Sequence, residues 1–162
     1  MKIGIISDSH DNIDNLNKAL EFFVKEKVKE IIHCGDLCGP FIIRELSKLD
    51  GVKIHVIEGN TCDEYTTLKF ASETGVNFYG PHAEIEIDKK KVMIVHYPII
   101  AEGLALSGKY AAVFYGHSHL FKVEKKNKTW LVNPGSVYGN KEKPSCIIWD
   151  TAKDEIKQQI LD

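Results

Sequence analysis

The segment Lys2-Ile3-Gly4-Ile5-Ile6-Ser7-Asp8-Ser9-His10-Asp11-Asn12 decides how the rest of this 162-residue chain is read. Its apolar residues, Ile3, Ile5 and Ile6, run into a polar cluster of the kind that caps helices. This predicts a buried strand leading into a helix. A carboxylate and an imidazole, Asp8 and His10, stand two residues apart at the strand's carboxyl end. In open α/β sheets that edge binds ligands, because its loops hold functional groups on a rigid support. In an extended segment a period of two sends both side chains to one side, where they can grip one cation. Alone, Asp-x-His is a weak signal. It gains weight because related chemistry recurs at four later strand ends.

Following the chain outward, Asp11 or Asn12 caps a predicted helix whose apolar face is Ile13, Leu16, Leu20 and Phe23. Lys29 to Cys34 reads as a second strand, running into Gly35-Asp36-Leu37-Cys38-Gly39. Pro40 suits the first turn of a second helix carrying Phe41, Ile42, Leu46 and Leu49, with Gly51 ending it. Val52 to Ile57 alternates as a third strand before Gly59-Asn60-Thr61-Cys62-Asp63 and a third helix to Ser72. A β-α-β-α-β order implies parallel strands with right-handed crossovers.

Beyond Gly75 strands dominate. They are expected at Val76 to Tyr79, Ala83 to Asp88, Lys91 to Val95 and Ala111 to Tyr115, with a turn or short helix after His96-Tyr97-Pro98. Hairpins are expected from Leu120 to Val132 and from Ser145 to Leu161. The fold expected is an α/β protein in which two mixed sheets pack together with helices outside, an α-β-β-α sandwich. One domain over residues 1–162 is the simplest division, since this length buries a full core and no linker or repeat interrupts it.

Composition narrows the function classes. Hydrophobic residues at 43% and charged residues at 27% describe a soluble globular protein. A formal net charge of -2 supplies no field that would recruit nucleic acid or an acidic membrane. No apolar run has the length of a membrane span, and the N-terminus reads as a strand rather than a signal segment. The four cysteines, Cys34, Cys38, Cys62 and Cys146, are too few for a disulfide scaffold and are expected reduced, in a cytoplasm. Cys34 and Cys38 lack a second pair at finger-like distance, so structural zinc is not expected there.

The strand ends collect Asp8, His10, Asp36, Asn60, His96, His117 and His119. Four imidazoles, two carboxylates and an amide oxygen suit Mn, Fe, Co, Ni or Zn better than Mg or Ca. Seven donors exceed one tetrahedral ion, and two ions sharing a carboxylate fit the count.

The blocks Asp8-Ser9-His10, Gly35-Asp36-x-x-Gly39, Gly59-Asn60, His96, Gly116-His117-Ser118-His119 and Asn133-Pro134-Gly135-Ser136 run in order along the chain. In them the chain resembles the calcineurin-like metallophosphoesterases, in their small single-domain branch of bacteria and archaea. The resemblance implies that Asp8, His10, Asp36 and His119 hold one ion and that Asp36, Asn60, His96 and His117 hold the other. Asp36 would bridge, and Asp36, Asn60 and His117 would count as catalytic. It implies a hydrolase of phosphodiesters using two divalent ions, Mn foremost, that acidify a bridging water. The expected partner is a small phosphoester, with self-association left open. Rival expectations are a phosphomonoesterase or nucleotidase on the same site, and a non-catalytic scaffold subunit.

Two positions depart from the family pattern. Where many members carry a histidine after the metal-binding asparagine, as general acid or phosphate clamp, this chain has Thr61. Cys62 and Asp63 follow as though displaced by one inserted residue. Tyr97 stands where relatives often have glycine, and would narrow the pocket or offer its phenol to the substrate. Of the other histidines, His33 is expected to orient the loop before Asp36 or to pack in the core. His55 and His82 are expected to be structural or solvated.

Overall fold

The computed structural model describes residues 1–162. The first half alternates strand and helix: β1 (Lys2–Ile6), α1 (Ile13–Lys25), β2 (Glu30–His33), α2 (Phe41–Leu46), β3 (Lys53–Val56), α3 (Glu64–Thr74) and β4 (Asn77–Phe78). The second half holds β5 (His82–Ile87), β6 (Lys90–Val95), α4 (Pro98–Leu106), β7 (Ala112–Phe114), β8 (Phe121–Lys126), β9 (Thr129–Pro134), β10 (Ser145–Asp150) and β11 (Glu155–Ile160).

The strands form two mixed sheets, ordered β11-β10-β1-β2-β3-β4 and β5-β6-β7-β9-β8. β1, β2, β3 and β4 are parallel neighbours, as the alternating helices require. In the other sheet β6, β7 and β9 are parallel too. The two expected hairpins both form, but they part company. β8 and β9 complete the second sheet, whereas β10 pairs antiparallel with β1 and places β10–β11 on the first. α2 stops at Leu46, one turn short of the expected Leu49, which packs from the following turn.

Strand alternation sorts the apolar residues into three cores, and this is why the layers stack. Ile3 and Ile5 of β1, Val92 and Ile94 of β6, and Phe114 and Trp149 meet between the two sheets. Ile6, Ile31, Val56 and Ile148 point the other way, onto Leu16, Leu20 and Phe23 of α1 and onto α2 and α3. Met93, Val95, Val113 and Leu131 leave the far face of the second sheet to meet Ala101 and Ala105 of α4. The α-β-β-α sandwich expected from the sequence is therefore the architecture found. α1 starts as expected, with Asn12 accepting from the Asn15 backbone N–H at 3.1 Å.

Because β1, β2, β3, β6, β7 and β9 run so that their carboxyl ends meet at one edge, six loops converge there. The edge is stitched by backbone hydrogen bonds, from Asp8 N to Gly35 O, Asp36 N to Glu58 O, and Gly116 N to His96 O. No helix is long and apolar enough to cross a membrane.

Candidate metal centre

All seven predicted site residues come together at this edge. Asp8, His10, Asp36 and His119 present ligand atoms that lie within 4.8 Å of one another, and so do Asp36, His96 and His117. Asn60 joins the second group, its Oδ1 standing 3.0 Å from His96 Nε2 and 2.8 Å from His117 Nδ1. In the first group His10 Nε2 faces His119 Nε2 at 3.3 Å, and His119 Nε2 lies 3.3 Å from Asp8 Oδ1. Asp36 belongs to both. Its Oδ2 is 3.6 Å from His10 Nε2, and its Oδ1 is 3.3 Å from His96 Nε2.

The way Asp8 and His10 converge differs from the expectation. They do not leave an extended segment. Asp8 and His10 have φ of 52° and 43°, and Asp36, His117 and His119 are also left-handed, at 59°, 66° and 61°. For residues with a Cβ this conformation costs about 1–2 kcal/mol each, and such strain concentrates at functional sites held by their surroundings. The turn reverses the chain within a residue, so side chains from several loops aim at one point.

Two glycines make the approach feasible. A Cβ on Gly59, whose φ is +78°, would overlap the backbone nitrogen and Oδ1 of Asp36. One on Gly116 would collide with Ser7 Oγ and lie 2.7 Å from Asp8 Oδ2. Hydrogen bonds then hold the donors in place. His96 Nδ1 is engaged with Cys34 O at 2.8 Å, which leaves Nε2 turned inward with its lone pair. The backbone N–H groups of Asn60 and Thr61 donate to Asp36 Oδ1 at 2.6 and 3.0 Å. The His117 N–H donates to the Asp8 carboxylate at 3.1 Å. Asn133-Pro134-Gly135-Ser136 braces the cluster from outside. Asn133 Nδ2 donates to Gly116 O, and Ser136 Oγ donates to Asp8 O.

The electrostatics fit cations. Asp8 and Asp36 are buried, and their only ion-pair partners are histidines, with no Lys or Arg. Burial pushes the Asp8 carboxyl above its ordinary range. Burial acts the same way on Asp36, but hydrogen bonding and charge from His96, with the Asn60 and Thr61 N–H groups, hold it well below that range. Burial alone would lower His96, yet the Asp36 carboxylate raises it overall. The negative field of the buried carboxylates around His96 is one a metal cation would satisfy. Mixed imidazole and carboxylate donors around a shared, buried carboxylate therefore suit divalent transition ions.

The remaining residues sort out by contact. His33 is fully buried, with Nε2 2.9 Å from Ser9 Oγ and Nδ1 accepting from the Gly35 N–H at 3.2 Å. It braces the loops that carry His10 and Asp36. His55 lies between Glu30 Oε2 and Tyr79 OH, both at 2.8 Å, away from the cluster. His82 is exposed at the start of β5. Cys62 and Asp63 turn away from the cluster. The Cys62 thiol faces Thr67 Oγ1 and burial raises its pKa, while Asp63 caps α3 by accepting from Thr66 N. The segment after Asn60 runs beside residue 38, with Asp63 N donating to Cys38 O. Cys38, weighed in the sequence only as a zinc thiol and set aside, has its Sγ 3.4 Å from His10 Nδ1. Only its place in the Gly35–Gly39 loop could have pointed to it.

The fold and site recur in known proteins. The sequence model of the calcineurin-like phosphoesterase superfamily domain matches residues 1–154. A phosphodiesterase of Methanocaldococcus jannaschii, MJ0936, is 35% identical over the full length of both chains. The solved structure of an archaeal phosphodiesterase superposes with a TM-score of 0.92 at 33% identity, over 99% of this chain and 100% of that one. Vps29 of Entamoeba histolytica, solved with zinc, shares the fold alone, with a TM-score of 0.69 at 15% identity over the whole of both chains. With its ordered motifs, two-sheet sandwich and family match along nearly its whole length, the chain belongs to the calcineurin-like phosphoesterase superfamily.

Proposed function

We propose that residues 1–162 act as one domain that hydrolyses phosphodiesters with two divalent transition ions, Mn foremost and Ni, Fe, Co or Zn as alternatives. The observation that carries this reading is Asp36, a buried carboxylate whose two oxygens face two separate groups of donors. Asp8, His10 and His119 would hold one ion with it, and Asn60, His96 and His117 the other. Bound there, such ions supply Lewis-acid charge to phosphoryl oxygens and lower the pKa of water, contributions worth several kcal/mol of barrier.

The chain's own groups set the rest. Asp36 contributes negative charge between the two groups, while Asn60 contributes a neutral oxygen that leaves the positive charge less cancelled. His117 and Asn60 are the exposed members of the cluster, on the side from which a phosphoester enters. No acidic side chain from the Thr61–Asp63 segment reaches the cluster, so the leaving group must depart without help from that loop. A small phosphoester bearing a good leaving group is the substrate this favours, and the four unpaired cysteines suit a reducing cytoplasm.

The test is a screen of Mn-loaded protein against bis(p-nitrophenyl) phosphate, p-nitrophenyl phosphate and cyclic nucleotides, with elemental analysis of the same sample. Diester turnover exceeding monoester turnover, abolished by chelation and restored by Mn, is expected. A chain that binds one ion or none at saturating Mn removes the binuclear reading, and monoester turnover exceeding diester turnover reassigns the substrate.

A further inference from the structure

Beside the donor cluster lies a pocket of about 400 Å³. Its apolar wall is Met93 and Val95 of β6 with Ile100 and Leu104 of α4. Tyr97 and Glu58 also line it, and it shares Gly59 and His96 with the cluster. Each feature constrains an occupant. The volume holds an aromatic or nucleobase-sized ring. The Tyr97 ring is held edge-on by His117 at 4.9 Å and by His96 at 5.3 Å between centroids, so this wall is set before anything binds. No Lys or Arg lines the pocket; besides His96 and Tyr97 its polar side chains are the Glu58 carboxylate and the His82 imidazole, both able to hydrogen-bond a ring substituent. Two of its lining residues adjoin cluster members in sequence, Tyr97 directly after His96 and Gly59 directly before Asn60. A phosphoryl group at the cluster therefore places an ester substituent at the pocket mouth.

Building on the phosphoesterase reading, we propose that this pocket is a specificity subsite for one ester group of the substrate, an uncharged planar ring of aryl or nucleobase type. Tyr97 and the α4 residues Ile100 and Leu104 receive the ring. Glu58 accepts from a donor on its rim. Tyr97, the departure from glycine at this position, thereby narrows the pocket into a slot for a ring.

The experiment measures binding directly, with non-hydrolysable probes. Methylphosphonate and phenylphosphonate are titrated calorimetrically into the Mn-loaded full chain. Phenylphosphonate should bind about tenfold to thirtyfold tighter, the gain expected for burying one ring face in an apolar slot. Ile100→Glu, at a half-exposed position where the fold tolerates charge, should erase that advantage and leave methylphosphonate affinity within about twofold. Tyr97→Ala should likewise erase the phenylphosphonate advantage. Equal affinities in the unsubstituted chain, or equal losses of both probes in Ile100→Glu, overturn the subsite while leaving the phosphoesterase reading intact. Failure of both probes to bind overturns the two together. A dimer that Ile100→Glu dissociates, with both probes bound alike, overturns it by assigning the pocket to a second copy of the chain.

Discussion

Asp36→Asn isolates the shared carboxylate with little change of shape. The carboxylate accepts from Asn60 N at 2.6 Å and Thr61 N at 3.0 Å, and faces His96 and His10 through different oxygens. Asparagine keeps one oxygen and turns an amide nitrogen to the other side, so one donor group loses its ligand whichever way the amide is oriented. Two charge-assisted hydrogen bonds become neutral at best, a loss of about 1 kcal/mol each and about 2 kcal/mol in all. Relief of the carboxylate's burial offsets part of this, so the metal-free protein should still fold. The effect on activity should be larger. On the two-ion reading both ions would lose their common anionic ligand, and several kcal/mol of transition-state stabilisation corresponds to a fall in kcat/KM on the order of 10³-fold or more. The assay pairs Mn stoichiometry, by elemental analysis after gel filtration, with bis(p-nitrophenyl) phosphate turnover at saturating Mn. His10→Ala and His96→Ala serve as single-group comparators, and excess Mn should partly rescue His96→Ala but not Asp36→Asn. If Asp36→Asn retains two ions, or loses no more activity than His10→Ala, Asp36 does not bridge.

Three further outcomes are expected. Gly59→Ala should destabilise the fold by about 3 kcal/mol, from a left-handed residue plus overlap with Asp36. Gly75→Ala has a similar φ and open space around it and should cost only about 1 kcal/mol; equal urea midpoints for the two variants would contradict this. His33 is held neutral, burial pushing its pKa from 6.5 down to about 3, while the unfolded chain protonates it below about pH 6.5. The unfolded state then binds more protons, so chelated protein should lose about 1.4 kcal/mol of stability per pH unit as pH falls through that window. His33→Asn should flatten this acid slope in urea titrations, and an unchanged slope would assign it to other groups. Cys62→Ser with Asp63→Asn should leave nitrophenyl diester rates nearly unchanged, and rates across leaving groups should depend steeply on leaving-group pKa. A positioned acid is worth typically 10²–10⁴-fold, so a selective loss on alkyl diesters would reveal one in that loop.

The sequence by itself determined the layers and the list of donors. Apolar alternation in Ile3–Ile6, Val92–Val95 and Ala112–Tyr115 records which residues face the opposite sheet and which face helices, since period two is a local property of an extended chain. Donors at strand ends, flanked by glycines, likewise marked the edge before any coordinates. Tertiary structure decided what depends on distant segments. β10 pairs with β1 across more than 140 residues, a choice that no local pattern encodes. Asp8 and His10 converge through left-handed turns held by His117 N–H and Ser136 Oγ, where the sequence alone suggested extended alternation. The course of the Thr61–Asp63 segment, with Cys62 drawn to Thr67 and Asp63 spent as a cap, rests on contacts with α3 and the residue 38 loop. The slot beside Tyr97 exists only because α4, β6 and the Glu58 loop meet there. Side-chain chemistry is written along the chain, but the distance between two side chains is set by every segment packed between them.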